Sequence, residues 1–262
     1  MKSISFDRAA DFYDQTRGLP PEVSSALAQV IVDAFGRDAR LLEVGIGTGR
    51  IARPLLAQGL HLTGIDLSAR MMGRLIEQLA PGARRPDLAQ ADALALPLRD
   101  GVFDAAIVVH VFHLVSDWRA ALREIRRVLK PGGSLMTGYD WRDPDSPSKH
   151  LRDAWTQIVR AHGVATSYSH EPFDAIQAAL REQGAELTEW AVGQRVETRT
   201  VRQELDAMER RIWSSTWNVP DAIFSECVAR LKQWAIRQYG SDGYAFPVRQ
   251  KFIWQRFRWD VR

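Results

Sequence analysis

Three glycines alternate in Glu43-Val44-Gly45-Ile46-Gly47-Thr48-Gly49, directly after the apolar pair Leu41-Leu42. Glycine has no Cβ, so this spacing lets the backbone turn tightly out of a strand and come close to a ligand. A dinucleotide loop needs G-x-G-x-x-G, and Arg50 occupies the last of those positions, where it would crowd a pyrophosphate. That spacing argues against NAD. Asp66 closes a second apolar run, where its carboxylate can accept from both hydroxyls of a ribose or cap the helix that follows. Asp92-Ala93 ends a third run and can read an adenine edge with one carboxylate and one amide, or be an ordinary solvated loop.

His110 and His113 follow a fourth apolar run, Phe103 to Val109. Imidazole titrates near neutral pH, which makes both candidates for a general base, beside a structural role for His113. Their spacing could also suit a metal, but no third ligand is evident, so no metal is expected. Tyr139, Asp140 and Trp141 end a fifth run and offer aromatic faces with a carboxylate, suited to a flat or amine-bearing acceptor. Trp213 and Trp217 could add apolar walls, although aromatics at helical spacing are commonly core.

The elements that must position these residues read as alternating strands and helices. Candidate strands are 41–44, 61–66, 88–91, 103–109 and 134–139. Helices are expected over 50–58, after Ser68 as far as Leu79, and over 118–129, where Lys130-Pro131-Gly132-Gly133 supplies a stop. The continuously apolar run 103–109 belongs in the middle of a parallel sheet covered on both faces. Beyond residue 140 the alternation fails. Helices are expected over 149–161 and 173–182, with helical periodicity over 201–239, and two long strands, 187–196 and 248–259, could pair antiparallel at the sheet edge. The segments 142–171 and 199–247 read as helical cap insertions over an active site in a single domain spanning 1–262.

The chain of 262 residues is 45% hydrophobic and 26% charged, a balance that excludes disorder, collagen and coiled coil. A net charge of +3 gives no electrostatic reason for nucleic acid as partner. The single cysteine, Cys227, excludes an intramolecular disulfide framework and fits a reducing cytosol. No window approaches the roughly 18 apolar residues of a membrane span, and the first residues lack a signal-peptide core, so a cytoplasmic protein is expected. The carboxyl-terminal segment interleaves Arg249, Lys251, Arg256 and Arg258 with Phe252, Trp254, Phe257 and Trp259. This could stack bases, but strand alternation is the simpler account, and an edge strand is expected.

Taken in order, Glu43 to Gly49, Asp66, Asp92-Ala93 with Leu96-Pro97, the Phe103-Asp104 strand and Lys130-Pro131-Gly132-Gly133 resemble the successive motifs of class I S-adenosylmethionine-dependent methyltransferases. Phe6-Asp7-Arg8 through Tyr13-Asp14 and Arg17 resemble the amino-terminal lid of the small-molecule branch, near the ubiquinone and menaquinone C-methyltransferase type. The resemblance implies a Rossmann-like α/β fold: a seven-stranded, mostly parallel sheet with its last strand antiparallel and helices on both faces. It also implies that Gly45, Gly47 and Gly49 receive the methionine part of the cofactor, Asp66 the ribose, and Asp92 with Ala93 the adenine. Leu67 and Met71 would pack on the adenine, and Val109 with His110 would line the methionine end. Glu43 would orient the loop, Tyr13 would sit near the methyl sulfonium, and Arg17 near the carboxylate, unless both belong to a plain surface helix.

The expected function is methyl transfer from S-adenosylmethionine to O, N or C of a small-molecule acceptor, with S-adenosylhomocysteine as product and no metal, by a monomer or homodimer. The alternatives are an RNA (tRNA) methyltransferase, for which the basic tail is the pointer, and a non-catalytic S-adenosylmethionine-binding module. No Asn/Asp-Pro-Pro-Tyr sequence of the base-modifying amino methyltransferases occurs.

Overall fold

The structure, a computed structural model, describes residues 7, 18–164 and 171–259. Tyr13 and Arg17 lie outside the described residues.

In chain order the elements are α1 (Pro21–Phe35), β1 (Arg40–Val44), α2 (Ala52–Ala57), β2 (His61–Asp66), α3 (Ala69–Glu77), β3 (Asp87–Gln90), β4 (Phe103–Val109), α4 (Trp118–Val128) and β5 (Leu129–Arg142). They continue with α5 (Pro147–Ala161), α6 (Glu171–Glu182), β6 (Ala185–Thr200), α7 (Val201–Glu209), a 3-10 turn (Ser214–Thr216), α8 (Asp221–Tyr239) and β7 (Ala245–Trp259). The seven strands form one sheet in the order β3-β2-β1-β4-β5-β7-β6. Strands β1 to β5 pair in parallel. The last strand runs antiparallel. Its bonds show the direction: Thr137 meets Gln255 while Asp143 N donates to Arg249 O, so residue numbers rise on β5 as they fall on β7. The order reverses between β1 and β4, which opens a crevice at their carboxyl ends.

Two compact units make up the chain. The first comprises Met1–Tyr139, His170–Gly193 and Phe252–Arg262. In it, successive residues of a strand alternate between two cores, as a period of two demands. Leu41, Ile107 and Trp254 pack with α1 and α2 through Leu27, Ile31 and Leu55. Leu42, Val108 and Phe257 pack with α4 and α6 through Ile125, Ile176 and Leu180. Polar caps fix where two helices start: the Ser68 hydroxyl accepts from Met71 N, and the Asp117 carboxylate from Arg119 N and Ala120 N.

The second unit comprises Asp140–Ser169 and Gln194–Lys251. Its helices α5, α7 and α8 close on Leu151, Trp155, Leu205, Cys227 and Leu231, with Trp155 fully buried. Glu204 is buried within it, accepting from Ser148 Oγ at 2.7 Å and Arg199 Nη1 at 3.0 Å. Burial pushes this carboxyl up, but the Ser148 hydroxyl and the Arg152 and Arg199 guanidiniums outweigh it and hold it below the usual range.

Three expectations need correcting. Lys130-Pro131-Gly132-Gly133 does not separate a helix from a strand beginning at Ser134, because β5 already begins at Leu129. Phe103 pairs with Leu129 and Ala105 with Ser134, so these residues loop out of the ladder as a bulge. Lys130 then reaches Asp104 at 2.7 Å, and the other Asp104 oxygen accepts from Arg40 N at 2.9 Å. The carboxyl-terminal strand is not an edge strand: β7 lies between β5 and β6, and Phe252, Ile253, Trp254 and Gln255 are all buried, as covering on both faces requires. The helical stretch 201–239 is broken into α7, a 3-10 turn and α8.

Candidate functional site

At the crevice the chain leaves β1 and turns through Gly45 to Gly49. Gly45 N and Ile46 N both donate to Ile65 O, at 2.7 and 3.1 Å, which ties the loop to the end of β2. Gly47 has a φ of 53°, a left-handed conformation costly for other residues, and a Cβ there would meet no protein atom closer than 3.4 Å. A Cβ there would make an ordinary contact with the Met71 methyl. Gly49 differs, since a Cβ there would lie 2.2 Å from Leu75 Cδ1 on α3. One glycine leaves room beside the loop, and the other lets the loop pack.

Asp66 terminates β2 with one oxygen on this turn and the other on the start of α3. Oδ2 accepts from Gly47 N and Oδ1 from Ser68 N, each at 2.8 Å. Burial raises its pKa, the Ser68 and Gly47 amides partly offset that, and the Asp7 carboxylate adds to the rise. The Ser68 hydroxyl donates to Asp7. A carboxylate oxygen has a second lone pair, so Asp66 can still accept from a diol while holding the loop. Glu43 is fully buried behind the turn, and its Oε2 has no hydrogen-bond partner among the described residues. Burial first, then the charge of Asp66, lifts its pKa well above the usual carboxylate value. An orphaned acid of this kind costs stability unless a donor arrives.

Glu43, Gly45, Gly47, Val109 and His110 line one cleft, together with Ile46, Thr48, Arg50 and Ile51. Its enclosed volume is about 30 Å³. His110 adopts a φ of 58°, a left-handed conformation for a residue with a Cβ. The register Val109↔Gly138 brings the carboxyl end of β4 beside Gly138 of β5, and with it His110 beside Tyr139. His113 is half-buried in the turn closed by Leu114 N donating to Val111 O at 2.8 Å, and it does not line the cleft.

On the other side of Asp66, Ala91 N donates to Asp66 O at 3.0 Å and Gln90 Nε2 to Leu67 O at 2.8 Å. The ends of β2 and β3 are thereby joined. Asp92 Oδ1 accepts from Leu94 N at 3.1 Å, Ala93 is buried, and Met71 places its methyl 3.4 Å from where a Cβ on Gly47 would lie. The structure thus gathers Asp66, Leu67, Met71, Asp92 and Ala93 around the strand ends.

The acceptor candidates divide between the units. Tyr139 is in the first, edge-on to Phe173 at 5.0 Å, and burial followed by the charge of Glu189 raises its pKa, so it is a hydrogen-bond donor. Asp140 and Trp141 belong to the second, where the Lys251 ammonium lies 4.9 Å from the Trp141 ring centre. Trp213 packs on the core of that unit beneath Arg152, and Trp217 Nε1 donates to Arg211 O at 2.8 Å. Trp213 thus contributes to the second unit's own packing. Sequence reasoning missed Thr48 and Gln90, named Asp7 only within the lid segment, and used Arg50 only to argue against NAD. For Thr48 its place between two loop glycines was an available signal; for the others spacing offered none. Among the described residues, no group of three or more His, Cys, Asp or Glu could hold a metal ion.

These residues fit an adenosyl sulfonium group on three counts: the left-handed Gly47, the diol-competent Asp66 and the orphaned oxygen of Glu43. The comparisons with known proteins agree. The family described as a methyltransferase domain matches residues 42–137. A demethylmenaquinone methyltransferase of Clavibacter sepedonicus is 34% identical over 185 residues, covering 66% of this chain and 75% of that protein. A malonyl-[acyl-carrier protein] O-methyltransferase of Halorhodospira halophila is 31% identical over 169 residues, 63% of this chain but 56% of that protein, so the chain spans little more than half of this relative. The crystal structure of the YcgJ protein from Bacillus subtilis superposes with a TM-score of 0.57 at 18% identity, covering 90% of this chain and 98% of that one, a likeness of fold.

Proposed function

Because the chain belongs to the class I S-adenosylmethionine-dependent methyltransferases, in the small-molecule branch close to the ubiquinone and menaquinone C-methyltransferases, we propose that it transfers a methyl group from S-adenosylmethionine to O, N or C of a small-molecule acceptor. The observation that carries this reading is Asp66, which holds the loop through Gly47 and keeps lone pairs for a ribose diol.

The bound cofactor supplies a methyl group on a positively charged sulfur, open to in-line displacement. Everything else falls to the chain. Asp66 accepts from the ribose hydroxyls, Met71 and Leu67 cover the adenine, and Asp92 with Ala93 meets its edge. Glu43 steadies the loop and supplies a buried carboxyl for a donor at the methionine end. Gly47 lets the backbone approach, and proximity does the remaining work by holding nucleophile and methyl carbon in line. His110, at the rim beside Tyr139, takes the proton from a hydroxyl or carboxylic acceptor, and an acceptor without such a proton needs no base. Tyr139 donates to the acceptor as a neutral phenol.

The relatives act, by their names, on demethylmenaquinone and on malonyl-[acyl-carrier protein], which supports O or C methylation here. The RNA reading loses its pointer, since Phe252, Trp254, Phe257 and Trp259 are buried and cannot stack on bases. A monomer or homodimer in the cytoplasm completes the proposal, and among the described residues no helix is long and apolar enough to cross a membrane. The test is S-adenosylhomocysteine formation with a panel of quinols, phenols and carboxylic acids. Acceptor-dependent release supports transfer, whereas cofactor binding without turnover on any acceptor favours the non-catalytic module.

A further inference from the structure

The second unit contains a groove of about 470 Å³ whose lining includes Trp141, Arg195, Arg249 and Lys251. That volume is in the range of small-molecule sites. Its walls are strands. Asp143 N donates to Arg249 O at 3.2 Å, which sets β5 against β7 so that Trp141 faces Lys251. Arg249 and Lys251 are two apart on one strand and share a face.

We propose that this groove binds the oxyanion of a small molecule, a phosphate or a carboxylate. Lys251 makes no ion pair within 4.0 Å among the described residues, and its ammonium is held over the Trp141 ring at 4.9 Å. A cation fixed on an aromatic face loses less freedom when it takes a ligand. Arg249 is 67% exposed and its contact with Asp143 is long, 3.5 Å. Arg195 is shared with Glu197 at 3.1 Å. Partly exposed pairs of this kind contribute little and can exchange for a better acceptor, and a guanidinium suits the two oxygens of a phosphate or carboxylate. Glu197 is itself divided between Arg195 and Arg199, at 3.1 and 3.7 Å. The site needs nothing from the methyl-transfer reading.

The test is calorimetry of the full chain with three probes, inorganic pyrophosphate, phenyl phosphate and benzoate, at low and at 0.3 M salt. At least one probe is expected to bind at sub-millimolar concentration and more weakly in salt. Lys251→Gln with Arg249→Gln is expected to weaken it at least tenfold, and Lys251→Arg to retain it. Tighter phenyl phosphate than pyrophosphate assigns the groove to an organic ester, the reverse order to a free inorganic anion, and benzoate as tightest to a carboxylate. Absence of binding by all three, or equal binding by the double variant, overturns the proposal. Thermal unfolding shows that the variant is folded, and S-adenosylhomocysteine titrated in parallel reports separately on the methyltransferase reading.

Discussion

At the scale of single residues, two acids carry the candidate site and they do different things. Asp66 is half a structural group, holding Gly47 and Ser68, and half a ligand group. Asp66→Ala is expected to weaken S-adenosylhomocysteine binding by about 1–3 kcal/mol, as the loss of charge-assisted bonds to a diol would. Unchanged affinity in calorimetry would remove Asp66 from the ribose. Its raised pKa gives a second expectation: affinity falls on acidification at a higher pH than an ordinary aspartate would allow, because protonation removes the acceptor. Glu43 affects stability instead. Its folded pKa is raised, so the folded chain keeps a proton that the unfolded chain releases. This acid therefore contributes most below the ordinary carboxylate range, and its contribution is lost as pH rises toward the folded pKa. Glu43→Gln should melt higher than the parent at pH 8 without cofactor, with a gap that closes near pH 4. A gap constant with pH would mean that the buried acid is compensated. Asp66 was legible because an acid closes an apolar run, whereas the mutual charge of Glu43 and Asp66 was not, since only the fold brings β1 and β2 together.

At the scale of elements, the glycines of the turn separate packing from binding. Gly49→Ala puts a methyl into Leu75, so a loss of stability of roughly 1–3 kcal/mol is expected, the usual cost of overpacking. Gly47→Val keeps its Cβ 3.4 Å from the nearest protein atom, the Met71 methyl, and should abolish cofactor binding with the smaller stability cost of a strained φ. Denaturant melts with calorimetry on both variants check the contrast, and equal binding loss at equal stability would dissolve it. Strands β2 and β4 fall at the boundaries read from sequence because their apolar runs end on Asp66 and His110. The bulge at Lys130 to Gly133 was misread because proline and glycine signal a stop, and only strand pairing can absorb them within a ladder. Strand β7 was misread for a related reason: charged residues flank its buried core residues, and neighbours on both sides cannot be seen in one segment.

At the scale of the whole molecule, the first half of the chain announced its architecture because parallel strands must be apolar and must alternate with helices. The second half did not, since its long strands β6 and β7 pass from one compact unit to the other, and its helices follow periodicity without a repeat. The second unit has its own core, and Trp155→Ala there should cost about 3–5 kcal/mol, read from denaturant melts, as emptying a fully buried aromatic site does. A smaller loss would mean that the unit is not packed around this ring. Fold alone does not assign the reaction; the cofactor site does. The most direct measurement is therefore isothermal calorimetry of the purified protein with S-adenosylmethionine and, separately, S-adenosylhomocysteine. The account expects both to bind at micromolar concentration, with Asp66→Ala weakening each. Failure of the folded protein to bind either would contradict it and leave a methyltransferase fold without its cofactor.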